Sequence, residues 1–259
     1  MNATTAGAAP VPSKPLLQAR DLSVRFGGLT AVDSVSVTLQ AGELVGIIGP
    51  NGAGKTTFFN AISGVVRPTA GSLAIHGREL GGSPPHAFAR AGVARTFQTP
   101  RVFGDMTVVA NIDFGLQFAG RRRPAPARLA SSGGILDLIG LADRIAARAA
   151  EVTPSQQRLL EIGMALATRP SLLLLDEVAA GLTEREVEAT ARLIRSLRDE
   201  LGLCVVWIEH AVGTLLRHVE RVIVLHQGRK LADGTPASVI ANAEVVEAYL
   251  GDEMVEQET

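Results

Sequence analysis

The sequence has one cysteine, Cys204, and no run of eighteen consecutive apolar residues. One cysteine cannot form an intramolecular disulfide, and the lack of a long apolar run excludes a membrane-spanning helix. Neither charge dominates, because 25 Lys and Arg residues stand against 26 Asp and Glu, a net charge of -1. No chain-wide basic field is therefore available to bind nucleic acid or an acidic membrane. Without a signal peptide either, the chain is predicted to be cytosolic or peripheral to a membrane.

What is present is the composition of an ordinary globular protein. The chain has 259 residues, of which 46% are hydrophobic and 20% charged, enough for one sizeable domain. We expect residues 1–15, which are rich in Ala, Thr and Pro, to form a disordered leader because they lack apolar periodicity. A single domain is predicted over residues 16–251, followed by a frayed acidic tail at 252–259.

Short apolar runs predict the strands of an α/β fold. Residues 43–49 and 172–176 are nearly continuous apolar runs, typical of strands buried on both faces. Further runs follow at 203–208 and 222–226. Helix-patterned stretches separate these runs, as expected for crossover units of a parallel sheet. Between residues 107 and 150 the strand signals give way to helical pattern, which predicts a helical insertion.

The segment from Gly49 to Thr57 has the sequence GPNGAGKTT and matches the phosphate-loop pattern G-x-x-x-x-G-K-[ST]. Glycines allow the backbone to approach phosphates closely, and the following helix N-terminus adds its dipole. Lys55 is expected to place its charge on the β- and γ-phosphates of a nucleotide, and Thr56 to offer a hydroxyl to Mg²⁺. The predicted nucleotide-binding residues of this loop are Gly49, Pro50, Asn51, Gly52, Ala53, Gly54, Lys55, Thr56 and Thr57.

Two acids, Asp176 and Glu177, follow the apolar run LLLL. We expect their strand to neighbour the strand before the phosphate loop, which would bring both acids beside the same nucleotide. Asp176 is suited to hold Mg²⁺, directly or through water, and Glu177 to polarise the attacking water. The alternative is a pair of strand-end acids that faces solvent.

Five motifs together resemble those of the ATP-binding subunits of ABC transporters, over about Leu16 to Gly251. They are the phosphate loop, Gln98 in RTFQTP, the run VTPSQQRLLEI, the segment LLLLDEVAAGL, and His210 in WIEHA. The resemblance implies an α/β fold: a P-loop NTPase (RecA-like) core with an antiparallel β subdomain and a helical subdomain inserted at about residues 99–157. It also implies that two such subunits hold nucleotide between them.

The resemblance implies roles for individual residues. Phe26 in VRFGG would stack on adenine, and the alternative is a core Phe on a strand. Gln98 would contact Mg²⁺ and the lytic water, and His210 would contact the γ-phosphate. The implied catalytic residues are Glu177, His210 and Gln98, the implied magnesium ligands are Thr56, Gln98 and Asp176, and the residues contacting the ATP of the second subunit are Thr153, Ser155 and Gln156.

The signature segment, Val152–Gln156, departs from the family's Leu-Ser-Gly-Gly-Gln because both glycines are missing. Pro154 has no N–H to offer a phosphate, although Thr153 and Gln156 still fit a helix start with a capping box. In the family this segment acts on the nucleotide of the other subunit. We therefore predict a heterodimer with unequal sites, in which the site built on this chain's phosphate loop is the stronger hydrolyser.

Two smaller departures follow Glu177. Val178 stands where the family has Pro, and Thr183 where it usually has Asp. Thr183 and Glu186 predict a second capping box, for a helix that runs to about Leu201.

Phrases such as FGGLTAVD, ARTFQTPRVF and LEIGMALATRP resemble most closely the subunits of branched-chain (hydrophobic) amino acid importers. This implies an ATP- and Mg²⁺-dependent ATPase at the cytoplasmic face of the inner or plasma membrane. Its implied partners are a second ATPase subunit, two permease subunits and, indirectly, a periplasmic solute-binding protein. An importer of urea or short-chain amides and a weakly hydrolysing regulatory subunit remain alternatives. A nontransport ATP-driven switch is disfavoured, because such relatives usually carry a long arm, a zinc site or a second cassette.

Overall fold

The strands form a four-stranded and a six-stranded sheet in the computed structural model, which describes residues 14–119, 126–209 and 212–256. The four-stranded sheet is antiparallel, with the order β2-β1-β4-β5. In chain order the strands are β1 (Leu17–Phe26), β2 (Leu29–Leu39), β3 (Leu44–Ile48), β4 (Ala70–Ile75), β5 (Arg78–Glu79), β6 (Val93–Arg95), β7 (Leu172–Asp176), β8 (Cys204–Ile208), β9 (Arg221–His226) and β10 (Arg229–Gly234).

The helices fall mainly after the strands of the six-stranded sheet and between β6 and β7. Short 3₁₀ turns occur at residues 127–129 and 142–144. In chain order the helices are α1 (Lys55–Ile62), α2 (Pro85–Ala91), α3 (Val108–Gln117), α4 (Ser132–Leu138), α5 (Pro154–Ala167), α6 (Glu184–Leu201), α7 (Val212–Leu216), α8 (Pro236–Ile240) and α9 (Ala243–Glu256).

The six-stranded sheet has the order β10-β9-β3-β8-β7-β6. Five of these strands, β3, β6, β7, β8 and β9, are parallel to one another, as the sequence predicted. The sixth strand, β10, pairs antiparallel with β9. The expectation that β7 neighbours β3 is wrong, because β8 lies between them and pairs with both. The carboxyl ends of the parallel strands still meet at one edge, so Asp176 lies at the same edge as the phosphate loop.

The six-stranded sheet is the middle layer of the fold, because its strands are apolar on both faces. In β3, Leu44 and Ile48 belong to one core cluster, whereas Val45 and Ile47 belong to the other. This follows from the alternation of side chains along a strand. The first cluster is shared with α3, α4, α5 and α6, and the second with the antiparallel sheet and α1. A sheet packed on both sides gives the loops at its edge a rigid base.

Helices α3 and α4 and the first turn of α5 fall within the helical subdomain predicted at about 99–157, and α5 continues beyond it. The limits of that subdomain stay a prediction. Residues 1–13 of the predicted leader and 257–259 of the predicted tail lie outside the described residues, and α9 includes residues 252–256. Within the described ranges, no helix combines the length and apolar character that crossing a bilayer requires.

Candidate active site

The phosphate loop, residues 49–57, connects the end of β3 to the start of α1, which begins at Lys55. The loop lies directly against neighbouring backbone. A Cβ added at Gly49 would lie 2.1 Å from the carbonyl oxygen of Leu225, and one added at Gly54 would lie 2.4 Å from that of Ala31. Gly54 also has a φ of 94°, a conformation that other residues rarely adopt. Gly52 likewise has positive φ, so the loop uses backbone conformations that favour glycine, while the predicted approach to phosphates stays a prediction.

Lys55 turns its ammonium group back into the loop. Its Nζ donates to the carbonyl oxygens of Gly49, at 2.5 Å, and Pro50, at 2.8 Å. Burial lowers the pKa of Lys55, and the nearby carboxylate of Glu177 opposes that shift. The ammonium group is therefore held at the loop, and Glu177, which directly follows β7, is close enough to influence it.

Glu177 and Gln98 meet directly. The Gln98 Nε2 donates to the Glu177 Oε2 at 2.7 Å, although the two residues are 79 positions apart. Glu177 is 8% exposed and has a φ of 49°, a left-handed conformation that is uncommon for a residue with a side chain. The two side chains that the sequence proposed for handling water are thus joined at the carboxyl edge of the sheet.

Arg95 was missed by the sequence analysis and pairs with Asp176. Its Nη2 lies 3.2 Å from the Asp176 Oδ2, and its Nη1 donates to the Asn60 Oδ1 at 2.7 Å. The guanidinium carbon also lies 4.6 Å from the centre of the Phe97 ring. Burial lowers the pKa of Arg95, which Asp176 opposes. Arg95 thereby links α1, β7 and the segment that carries Gln98, and its only sequence signal was its position three residues before Gln98.

Glu161 was also missed, because nothing in the sequence distinguishes a buried acid on α5. It is 5% exposed, and its Oε1 accepts hydrogen bonds from the N–H groups of Phe97, at 3.3 Å, and Arg101, at 3.0 Å. Burial raises its pKa from the ordinary 4.5 to about 7, against the opposing effect of those N–H groups and of Arg158 and Arg95. Glu161 thus holds both sides of the Gln98 segment.

The shifted pKa of Glu161 predicts a pH-dependent stability. The folded chain keeps a proton on Glu161 up to about pH 7, whereas the unfolded chain releases it near 4.5. The wild type should therefore lose stability through this group as the pH rises between those values. Glutamine does not titrate, so Glu161→Gln should not show this loss. The unfolding free energy of Glu161→Gln minus that of the wild type should therefore rise by up to about 3 kcal/mol from about pH 5 to pH 8. Urea unfolding at both pH values measures this, and Glu151→Gln, an exposed control, should show no such gain.

Glu209 is a second buried acid that the sequence analysis did not single out. Its Oε1 accepts from the backbone N–H of Ala179 at 2.7 Å and from the indole Nε1 of Trp207 at 2.9 Å. Burial raises its pKa. Glu209 therefore ties the segment after Glu177 to β8. The next residue, His210, lies outside the described residues, so its predicted contact with the γ-phosphate stays a prediction.

Phe26 ends β1 and is 52% exposed. The alternative that it is a core Phe is therefore wrong, because about half of its surface is exposed, whereas Leu22 and Val24 on the same strand are buried. An exposed aromatic ring is free to stack on another ring. Its predicted contact with adenine stays a prediction.

The signature segment starts helix α5 as expected. The Thr153 side chain accepts from the N–H of Gln156, and the Gln156 side chain accepts from the N–H of Thr153, so the predicted capping box is confirmed. The hydroxyls of Thr153 and Ser155 lie 3.0 Å apart. The second predicted capping box, of Thr183 and Glu186 at the start of α6, is also confirmed.

The residues predicted to hold Mg²⁺ supply a suitable set of donors. Thr56 is exposed at the start of α1, Gln98 contacts Glu177, and Asp176 ends β7 at the edge where the phosphate loop begins. Hydroxyl, amide and carboxylate oxygens are the hard ligands that Mg²⁺ takes together with substrate phosphates. The set therefore fits that ion.

Comparison with known proteins identifies the family. The model of the ABC transporter family matches residues 32–180, more than half of the chain. The chain belongs to the ABC transporter family. This confirms the predicted family, the predicted P-loop fold and the assignment as an ATPase of a transporter. A second model, for the branched-chain amino acid ATP-binding cassette transporter, matches residues 229–255, which cover β10, α8 and all but the last residue of α9.

Curated relatives and solved structures agree with the family. The chain is 40% identical over 254 residues to the high-affinity branched-chain amino acid transport ATP-binding protein LivG of Salmonella typhimurium, covering 93% of this chain and 99% of LivG. It is 38% identical to the corresponding protein BraF of Pseudomonas aeruginosa, with the same coverage. The ADP conformation of an ATP-binding cassette of an ABC transporter superposes with a TM-score of 0.80 at 27% identity, covering 92% of this chain and 100% of that one.

Proposed function

We propose that this chain binds ATP on residues 49–57 and hydrolyses it to drive an importer of branched-chain or other hydrophobic amino acids. The observation that carries the ATP part is the phosphate loop, with Lys55 held at its centre and Glu177 close by. The amino acid part is supported by the names of relatives with 38–40% identity over nearly the whole chain. The solute itself would be selected elsewhere, so no residue of this chain is assigned to it.

Hydrolysis would use the groups at the carboxyl edge of the sheet. Glu177 would accept a proton from the attacking water, Gln98 would orient that water, and Lys55 would stabilise charge on the β- and γ-phosphates. His210 would contact the γ-phosphate. Thr56, Gln98 and Asp176 would hold Mg²⁺, which when bound neutralises charge on the phosphates. Each of these roles is a proposal.

The partners we propose are a second ATPase subunit, two permease subunits and, indirectly, a periplasmic solute-binding protein. Thr153, Ser155 and Gln156 would meet the ATP held by the second ATPase. Because Pro154 offers no N–H, and the Thr153 hydroxyl already caps α5, this contact would be weaker than one made by two glycines. The proposed heterodimer is therefore asymmetric, and the site built on this chain's phosphate loop would be the stronger hydrolyser. The heterodimer would lie at the cytoplasmic face of the membrane, where it would contact the permeases.

Reconstitution of the complete transporter tests the proposed import. Proteoliposomes should contain this chain, its partner ATPase and the permeases, with the solute-binding protein supplied outside and ATP inside. We expect ATP-dependent uptake of labelled leucine and no uptake without ATP. Uptake of labelled urea or acetamide instead of leucine would favour the amide-importer alternative. Uptake that persists when this chain's own site is disabled would favour a regulatory subunit.

Phe26 provides a separate test of nucleotide binding. Removing a stacking aromatic side chain costs about 1–3 kcal/mol per base, so Phe26→Ala should weaken ATP binding by about 5- to 150-fold. Because stacking does not depend on the identity of the base, GTP binding should weaken similarly, whereas tripolyphosphate binding should stay unchanged. Equilibrium titration measures all three ligands, and Phe26→Tyr should retain most of the ATP affinity. Equal weakening for tripolyphosphate would contradict the stacking role.

A further inference from the structure

Helix α5 carries two charged side chains that reach the two halves of the Gln98–Glu177 contact. Arg158 and Glu161, called here the α5 pair, are three positions apart and so lie on the same side of the helix. The Arg158 Nη1 donates to the backbone carbonyl oxygen of Glu177 at 2.7 Å. The Glu161 Oε1 accepts the N–H groups of Phe97 and Arg101. One helix thus holds both the acid and the segment that carries the amide.

The contact with Arg158 stabilises a backbone conformation that Glu177 would not adopt by itself. A left-handed φ costs on the order of 1–3 kcal/mol for a residue with a side chain and persists only where the surroundings fix it. The Glu177 peptide groups are fixed on both sides, because its N–H donates to the carbonyl oxygen of Ile208 at 2.9 Å and its own carbonyl accepts from Arg158. This conformation directs the carboxylate toward Gln98.

The contacts of Glu161 fix the segment that carries Gln98, which is the other partner in the Gln98–Glu177 contact. The N–H groups of Phe97 and Arg101 stand on either side of Gln98, and both donate to the same carboxyl oxygen. The charged groups that act on Glu161 come from its own helix (Arg158) and from β6 (Arg95), whereas Phe97 and Arg101 act on it through their backbone N–H groups. Because Gln98 itself is exposed, these backbone contacts rather than side-chain packing determine where its amide lies.

The α5 pair is not needed to anchor α5 in the fold. Leu160, Ile162 and Leu166 are each fully buried in the core cluster beneath the helix. Arg158 is only partly buried at its contact with Glu177. Side-chain changes at the α5 pair can therefore alter the site while the apolar anchoring of the helix stays in place.

We propose that Arg158 and Glu161 are positioning residues, which set the distance between the Gln98 amide and the Glu177 carboxylate according to where α5 lies. The proposal rests on the proposed function, in which the start of the same helix meets the ATP of the second subunit. A shift of α5 on nucleotide contact would move the signature segment and the α5 pair together. Nucleotide held by the partner would thus change the fraction of molecules in which Gln98 and Glu177 are correctly placed for hydrolysis at this chain's own site.

Single substitutions in the assembled transporter test the proposal. Glu161→Ala and Arg158→Met should each lower kcat by about 10- to 100-fold, as a misplaced catalytic group does, with the KM for ATP changed by no more than about two-fold. Glu161→Gln should retain most of kcat, since its amide oxygen can accept the same two N–H groups. Glu151→Ala, an exposed acid before α5, is the control and should behave as wild type.

A double-mutant cycle separates positioning from general destabilisation. If Glu161 acts through Gln98, then Glu161→Ala should change kcat by no more than about two-fold in a Gln98→Ala background. If the losses of kcat from Glu161→Ala and Gln98→Ala multiply in the double variant, the proposal is overturned. An unchanged kcat in both Glu161→Ala and Arg158→Met would also overturn it. If Glu161→Ala does not fold, Arg158→Met is combined with Glu177→Gln instead, since Arg158 contacts Glu177, and it should then change the residual kcat by no more than about two-fold. A wild-type complex that binds no ATP would instead contradict the proposed function, and titration with ATP reports this separately.

Discussion

Glu177→Gln is expected to lower ATP hydrolysis in the assembled transporter by about 10²- to 10⁴-fold, the usual contribution of a positioned general base. The variant keeps the shape of the side chain, and its amide oxygen can still accept the hydrogen bond from Gln98 Nε2. ATP affinity should therefore stay near wild type while turnover is lost. Phosphate release under saturating ATP measures turnover, and titration with ATP measures affinity.

The same experiment tests the predicted asymmetry between the two sites. Glu247→Gln, at an exposed position on α9, is the matched control and should hydrolyse ATP as wild type does. The equivalent Glu→Gln change in the partner ATPase should cost less than Glu177→Gln. Equal losses from the two changes would speak against unequal sites, and full turnover in Glu177→Gln would remove Glu177 from the role of base.

Lys55→Met is expected to weaken ATP binding by about 10- to 100-fold. A hydrogen bond to a charged group contributes about 1.5–3 kcal/mol, and the ammonium of Lys55 is the only cation within the phosphate-loop segment of residues 49–57. The Met side chain keeps a similar length, so the change removes the charge and its donors with little loss of packing. Equilibrium titration with ATP and with ADP measures the effect.

Lys14→Met provides the comparison for Lys55→Met, because Lys14 is an exposed lysine close to the start of β1. It should bind ATP as wild type does. Thermal unfolding without nucleotide should be compared for both variants, since Lys55 also satisfies the carbonyl oxygens of Gly49 and Pro50. Wild-type affinity in a folded Lys55→Met variant would contradict nucleotide binding on this loop.

The features that could be predicted from the sequence are determined by neighbours along the chain. The phosphate loop needs a strand, glycines and a helix start within about ten residues, and the structure has all three in that order. The two capping boxes are equally local, because Thr153 with Gln156 and Thr183 with Glu186 are each three residues apart. Short spacing leaves few conformations to choose between, so the pattern is sufficient.

The features that could not be predicted depend on pairs that are distant in the sequence. Arg95 and Asp176 are 81 residues apart, and Glu161 is at least 60 residues from Phe97 and Arg101, whose N–H groups donate to it. Buried acids resemble exposed acids in the sequence, and only the packing of α5 against the Gln98 segment distinguishes Glu161. The position of β8 between β3 and β7 has the same origin, since apolar runs indicate strands but not their order.

The chain contains one tryptophan, Trp207, whose indole shares the Glu209 carboxyl oxygen with the backbone of Ala179, two residues after Glu177. Intrinsic fluorescence of the isolated subunit excited in the indole band therefore arises from a single, fully buried chromophore adjoining the hydrolytic edge. A rearrangement of the Ala179 segment would alter the hydrogen bonding of that chromophore and hence its emission. The protein thus contains its own optical reporter, which makes labelling unnecessary in stopped-flow measurements.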